Sequence, residues 1–299
     1  MVKVFLRGGL GNQMFQYALG LRLALKNKAD LVLDTTFLND RFPRKEITFR
    51  TYDLDVFTLT PRFTALSKIS RAVPIPAVWL GGDLVLSELK NLIGISRFIK
   101  ENKDYVFDEK VLQAGGNVTL WGRWQSEKYF ADIEKEVRDA LRFRHPLTGE
   151  AARLADEIRG ENSVSLHIRR GDYVAFKSMK AIMGETDISY YARAAEYIGA
   201  RVPEPHFFVF SDDIAWGREN VTSPFKMTYV SDASRGPKDS HHLELMSLCK
   251  HNIITNSTFS WWGAWLNRNP EKIVIAPKRW HTGAIPGHDD IILATWVRI

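Results

Sequence analysis

The chain switches repeatedly between two periodicities, and this alternation restricts its fold more than any other feature. Val2 to Leu6 is a short β-branched and aromatic run that breaks at Arg7-Gly8-Gly9-Leu10-Gly11-Asn12. Gln13 to Ala24 then places apolar residues at helical spacing, and Ala29 to Asp34 returns to a strand-like run. Strand side chains alternate faces while helical ones return after about 3.6 residues, so the order reads strand, glycine turn, helix, strand. Such a βαβ unit needs a crossover, which makes its strands parallel.

The second half restarts the pattern. Ser163 to Ile168 is a strand running into Arg169-Arg170-Gly171-Asp172, and Ser189 to Ala200 has helical spacing. His206 to Phe210 is a continuous apolar run of the buried parallel type, ending at Ser211-Asp212-Asp213. Strands are predicted over Lys226–Val230, Asn252–Thr255 and Lys272–Ala276, with helices over Asp239–Cys249 and Thr258–Asn267. Between the halves, Val118 to Gln125 reads as a strand ending at a turn, Ser126 or Glu127 opens a helix through Leu141, and Glu150 to Arg159 forms another. Pro43, Pro61, Pro74 and Pro76 interrupt residues 40 to 110. A boundary near residues 143 to 162 gives two domains, 1–150 and 151–299. The expected class is α/β, with two facing, doubly wound, Rossmann-like parallel-sheet domains and ligand sites at the carboxyl ends of their strands.

Length and composition agree. The 299 residues are roughly twice a ~150-residue domain. Hydrophobic residues at 45% and charged residues at 25% exclude disordered, collagen-like and coiled-coil chains. A single cysteine, Cys249, excludes an intrachain disulfide framework and multi-cysteine metal sites, and it reads as a buried thiol. The net charge is +6, and residues 1–150 hold most of it, with 23 basic against 18 acidic residues. Its longest basic cluster is only Arg41, Arg44 and Lys45, so no nucleic-acid partner is expected. A modest basic excess suits an anionic small substrate or an anionic membrane surface. The amino terminus lacks the apolar core of a signal peptide, and the best apolar run, Val73 to Gly82, is short and contains two prolines. A cytoplasmic protein is expected, with peripheral contact at the inner membrane as an option.

Three segments carry chemistry. In His167-Ile168-Arg169-Arg170-Gly171-Asp172, alternation puts His167 and Arg169 on one face of a strand end, and a guanidinium fork matches phosphate oxygens. A structural ion-pair cluster is the other reading. Asn256-Ser257-Thr258-Phe259-Ser260 opens a helix, where hydroxyls and first-turn N–H groups suit either a phosphate or plain N-capping. Trp261, Trp262 and Trp265 follow on that helix, and burial in a core between the domains explains them better than substrate stacking. Gly8-Gly9-Leu10-Gly11-Asn12-Gln13 lacks the spacing of a dinucleotide fingerprint, yet its glycines admit close backbone approach. Asn12 and Gln13 offer amide hydrogen bonds suited to sugar hydroxyls. Asp212 and Asp213 suit either the N–H groups of a purine or a turn and N-cap. Asp53 and Asp55, like His288, Asp289 and Asp290, lack a second ligand cluster and read as solvated surface charge, so no metal site is expected.

Gly8 to Ala18, His167 to Tyr173, Val209 to Asp213 and Thr255 to Gly263 resemble, in that order, the motifs of the bacterial α-1,2-fucosyltransferases of glycosyltransferase family 11. Residues 35 to 115 carry no such match and are where acceptor preference is expected to reside. The resemblance implies a GT-B fold and metal-independent transfer of L-fucose from GDP-L-fucose to the 2-hydroxyl of a terminal β-galactoside, with inversion. The N-terminal domain would then be the acceptor side, carrying Gly9, Asn12 and Gln13, and the C-terminal domain would bind the donor. The second motif assigns Arg169 to the β-phosphate, with His167 and Arg170 supporting the nucleotide. The last assigns Ser257, Thr258 and Ser260 to the pyrophosphate, and the third sets Asp212 or Asp213 near the nucleoside. Asp172 is the first candidate for the general base and Glu185 the second. The acceptor would be a free oligosaccharide or a lipid-linked glycan. A Rossmann epimerase would show G-x-x-G-x-x-G after its first strand, which is absent here, and a lectin module is usually all-β. The same fold acting on another nucleotide sugar is the remaining alternative.

Overall fold

In the computed structural model of the chain, the described residues are 1–40, 48–72, 85, 87, 89, 91–92, 96–102, 106–171, 181, 184, 186–281 and 288–299. They divide into two compact units, Met1–Arg144 with Asp289–Ile291, and His145–His288 with Ile292–Ile299.

The N-terminal unit is built on a five-stranded sheet of order β3-β2-β1-β5-β4, with β1 Val2–Phe5, β2 Leu31–Asp34, β3 Arg62–Phe63, β4 Arg97–Lys100 and β5 Val118–Trp121. Every pairing is parallel, with Val2 opposite both Leu31 and Val118. Helix α1, Leu10–Asn27, makes the β1-to-β2 crossover that the glycine turn and helical spacing predict. Its Gly20 packs onto the strands so closely that a Cβ there would lie 2.6 Å from a Val4 methyl and 2.8 Å from a Leu31 methyl. Short helices α2 (Thr36–Asn39), α3 (Ala65–Ala72) and α4 (Glu134–Ala140) complete the described part of this unit.

The predicted helix from Ser126 to Leu141 is shorter than expected. Two 3₁₀ turns, Glu127–Tyr129 and Ala131–Ile133, precede α4.

The C-terminal unit holds a six-stranded sheet of order β11-β10-β9-β6-β7-β8, again wholly parallel. Its strands are β6 Ser163–Ile168, β7 His206–Ser211, β8 Lys226–Tyr229, β9 His251–Ile253, β10 Val274–Ala276 and β11 Val297–Arg298. The intervening helices are α5 Gly149–Gly160, α6 Ile188–Gly199, α7 Ile214–Asn220, α8 Ser240–Leu248 and α9 Thr258–Leu266, while three of the four residues of α10, His288–Ile291, belong to the N-terminal unit. β6 and β7 are buried along their whole length, as their unbroken apolar sequences require. Two Rossmann-like, all-parallel α/β units are the GT-B type of fold.

Trp261, Trp262 and Trp265 are buried, and their ring contacts run among themselves and to Trp296 of the same unit, with centroids 5.0 to 6.4 Å apart. Cys249 is buried and unoxidised, and its burial pushes the thiol pKa up.

Candidate active site

Three strand ends of the C-terminal sheet bring the predicted donor residues together. The register pairs His167 with Phe210 and Ile168 with Ser211, so the segments that follow β6 and β7 leave the sheet side by side. Asp212 ties them: Oδ2 pairs with Arg169 Nη1 at 2.7 Å, and Oδ1 accepts the Arg170 backbone N–H at 2.9 Å. Asp213 caps α7, its Oδ1 accepting Trp216 N–H at 3.2 Å, while its Oδ2 pairs with Arg170 Nε at 3.3 Å. Of the two roles open to these carboxylates, ion pairing and capping are the ones the contacts record. Gly171 is needed for this packing, because a Cβ there would stand 2.5 Å from Asp212 Oδ2.

His167 is buried at the end of β6, its Nδ1 lying 3.4 Å from Thr255 Oγ1 beyond β9, and its ring is tilted against Phe259. Burial first, then the charges of Arg169, His242 and Arg235, pushes its pKa down to about 3, so it is neutral at physiological pH. A neutral ring offers an adjacent anion a hydrogen bond at most, which leaves positive charge here to the arginines.

From β9 the chain runs through Thr255, Asn256 and Ser257 into α9. Ser257 is the N-cap residue, but its side chain makes no capping hydrogen bond. Its carbonyl instead accepts from Ser260 Oγ at 3.2 Å and from Trp261 N–H at 3.0 Å. Side-chain capping by Ser257 is therefore not what these hydroxyls do. Ser257 and Ser260 are buried and Thr258 half-buried, at a helix start whose N–H groups favour an anion.

Sequence reasoning missed two neighbours. Arg235, on the segment after β8, donates from Nη2 to the Ser211 carbonyl at 2.9 Å and pairs with Asp232 and Asp239. That segment bends through left-handed residues Gly236, Lys238 and Asp239, which no spacing rule reveals. Trp216 lies under Arg170, its ring centroid 3.9 Å from the guanidinium carbon. An arginine two residues past a strand and an aromatic three past an aspartate are too common to signal this contact.

The glycine turn of the N-terminal unit differs from expectation. The left-handed position is Gly8, with φ +78°, whereas Gly9 is extended and serves as the N-cap of α1. Gln13 is fully buried: its Nε2 donates to the carbonyls of Gly8 (2.9 Å) and Thr51 (2.7 Å), and its Oε1 accepts Asp53 N–H at 2.9 Å. Its amide is thus consumed in tying the turn to residues 51–53, so it offers no hydrogen bonds to a sugar. Asn12 is half-buried and accepts from Gln125 Nε2 at 2.6 Å.

Two carboxylates read as solvated are structural. Asp53 is buried and accepts from Thr51 Oγ1 at 2.6 Å. Asp290 pairs with Lys128 and accepts Phe107 N–H at 2.9 Å. Asp55 is exposed, as expected. Asp172 and Glu185 lie outside the described residues, as do the side chains of His288 and Asp289. Among the described residues, no group of three or more His, Cys, Asp or Glu is placed to hold a metal ion, and no helix is long and apolar enough to cross a membrane.

Comparison with known proteins follows this geometry. The model of glycosyl transferase family 11 matches residues 92–299, which include every predicted donor residue. An alpha-1,2-colitosyltransferase of Escherichia coli is 32% identical over 295 residues, covering 98% of this chain and 97% of its own. The galactoside alpha-(1,2)-fucosyltransferase 1 of Rattus norvegicus is 26% identical over 269 residues, covering 87% of this chain and 61% of its own. Among solved structures, the fucosyltransferase NodZ of Bradyrhizobium superposes with a TM-score of 0.50 at 14% identity over 88% of this chain and 90% of its own, a likeness of fold. With two Rossmann-like units, an arginine pair and hydroxyl-bearing helix start at adjoining strand ends, and a family model spanning that region, the chain belongs to glycosyl transferase family 11 and is a glycosyltransferase.

Proposed function

We propose that the protein transfers L-fucose from GDP-L-fucose to the 2-hydroxyl of a terminal β-galactoside, with inversion at the fucose anomeric carbon and without a metal. The observation that carries the reading is the gathering of Arg169, Arg170 and the start of α9 at the adjoining ends of β6 and β9, with Asp212 and Asp213 from the end of β7 beside them. In a single displacement the acceptor oxygen forms a bond to C1 as the bond from C1 to the β-phosphate oxygen breaks, and GDP departs with the electron pair. Negative charge grows on the leaving diphosphate. Arg169, supported by the N–H groups and hydroxyls of Ser257, Thr258 and Ser260, would stabilise that charge more in the transition state than in the ground state, while Arg170 holds the nucleotide. The acceptor proton goes to a base, for which the family resemblance makes Asp172 the first choice and Glu185 the second. Near-normal turnover by Asp172→Asn would remove it from that role.

The names of the relatives support the α-1,2 linkage. They also motivate a second donor, because colitose is fucose without its 3-hydroxyl and a 32% identical relative is a colitosyltransferase. The test is GDP release, in EDTA, from GDP-fucose, GDP-colitose and GDP-mannose. Lactose, N-acetyllactosamine and a type-1 β-galactoside would be compared with no acceptor. Acceptor-dependent release from GDP-fucose, with a product substituted at galactose O2, is the expected result. Release from GDP-colitose alone would establish the second donor, and release abolished by EDTA would overturn metal independence. If the acceptor is lipid-linked, the basic excess of residues 1–150 predicts salt-sensitive binding to anionic vesicles.

A further inference from the structure

Arg170 is held in two ways that leave its terminal nitrogens out. Its Nε pairs with Asp213 Oδ2 at 3.3 Å, and its guanidinium carbon stands 3.9 Å from the centroid of the Trp216 ring. Neither contact consumes the Nη fork, the part of a guanidinium that matches two oxygens of a phosphate. Asp213 joins the three residues into one assembly, because its other oxygen accepts Trp216 N–H at 3.2 Å and its own N–H donates to Ser211 Oγ at 2.9 Å.

Trp216 is itself anchored. It sits in the first turn of α7 and packs against the hydrophobic core that β6, β7 and α6 build around Val164, Val209 and Tyr191. The indole is therefore a fixed platform. A cation over the face of tryptophan gains the most of any aromatic, and planar guanidinium stacking fixes the orientation of the group as well as its position. A flexible arginine loses rotamer freedom when it binds an anion, and one already restrained loses less.

We propose that Trp216 is a positioning residue for the nucleotide-sugar donor, its indole holding the Arg170 guanidinium in the orientation that meets the donor's phosphates. The assignment rests on the donor site read above and deepens it. The function of Trp216 is exerted before chemistry, so its loss weakens donor binding and leaves the rate of the bound complex nearly intact.

The experiment is a double-mutant cycle. Trp216→Leu, Trp216→Phe, Arg170→Ala and the Trp216→Leu/Arg170→Ala double variant are assayed for donor KM, kcat, GDP dissociation constant by titration calorimetry, and thermal unfolding midpoint. Trp216→Leu should raise donor KM and the GDP dissociation constant about tenfold, within the range of a partly desolvated cation–π contact. Its kcat should change less than threefold, and Trp216→Phe should stay within threefold of wild type throughout. In the Arg170→Ala background the leucine substitution should add less than twofold. A tenfold effect that persists without Arg170, or donor KM unchanged in a folded Trp216→Leu, would overturn the assignment of Trp216 alone. Failure of the wild type to bind GDP would instead overturn the donor reading on which it rests. Should Trp216→Leu unfold, the Phe variant alone decides, through a rise in donor KM beyond tenfold at an unchanged melting point, which would refute the platform.

Discussion

Replacing Gln13 by methionine separates a structural glutamine from a sugar-binding one. Methionine keeps the length and removes the amide, leaving the carbonyls of Gly8 and Thr51 and the Asp53 N–H without their partner. The bond to Asp53 N–H is buried and the other two partly so. A buried orphaned group costs ~1–3 kcal/mol and partly wet ones less, so the sum is about 3 kcal/mol. For a protein of this size the melting point should fall by about 5 °C. The assay pairs thermal unfolding with acceptor-dependent GDP release on purified Gln13→Met. The KM for the β-galactoside should stay within twofold, because the amide faces the protein. A melting point within 2 °C of wild type together with a tenfold rise in acceptor KM would refute the reasoning and return Gln13 to the ligand.

Three more outcomes follow from the C-terminal unit. Arg169→Ala should lower kcat by roughly 10²- to 10³-fold, as loss of a preorganised charge-stabilising donor does; retention of more than a tenth would remove Arg169 from that role. Gly171→Ala should raise donor KM, since its Cβ meets Asp212 Oδ2 at 2.5 Å and must displace the carboxylate that holds Arg169; wild-type KM would show that the pair is dispensable. His167 binds its proton less readily in the fold, near pH 3, than in the unfolded chain, near the ordinary 6.5. Its contribution to stability is therefore complete above about pH 6.5 and lost as the pH falls toward 3, by up to about 1.4 kcal/mol per pH unit. The melting point of His167→Gln should decline less steeply than wild type between pH 6.5 and 4.5, and parallel curves would show that His167 does not titrate on unfolding.

The C-terminal sheet was legible because its signals are local. β6 spans the predicted Ser163–Ile168, and β7 extends the predicted run by one residue to Ser211. A wholly buried parallel strand writes an unbroken apolar run, and its end marks where ligands bind. The edge strands β3 and β11 were illegible because two residues each, with Arg62 and Arg298 among them, carry no periodicity. Gln13 and Asn12 look alike in sequence, yet one is consumed by contacts 38 and 40 residues away and the other reaches Gln125 across 113. Long-range partners of that kind have no local signature. The same holds for Asp290, whose sequence neighbours are Asp289 and Ile291 but whose partners are Lys128 and Phe107.

Asp290 also determines how this protein can be cut and recombined. The chain spends residues 145–288 in the C-terminal unit, then returns Asp289–Ile291 to the N-terminal one before Ile292–Ile299 closes the second sheet with β11. Expressing residues 1–144 alone would strip the partner from Lys128 and the acceptor from the Phe107 amide. A chimera that exchanges N-terminal units between relatives thus needs three junctions, after 144, 288 and 291, rather than one. Libraries built on a single crossover would pair each transplanted half with a foreign three-residue patch, and their inactive members would report a broken seam instead of a mismatched substrate.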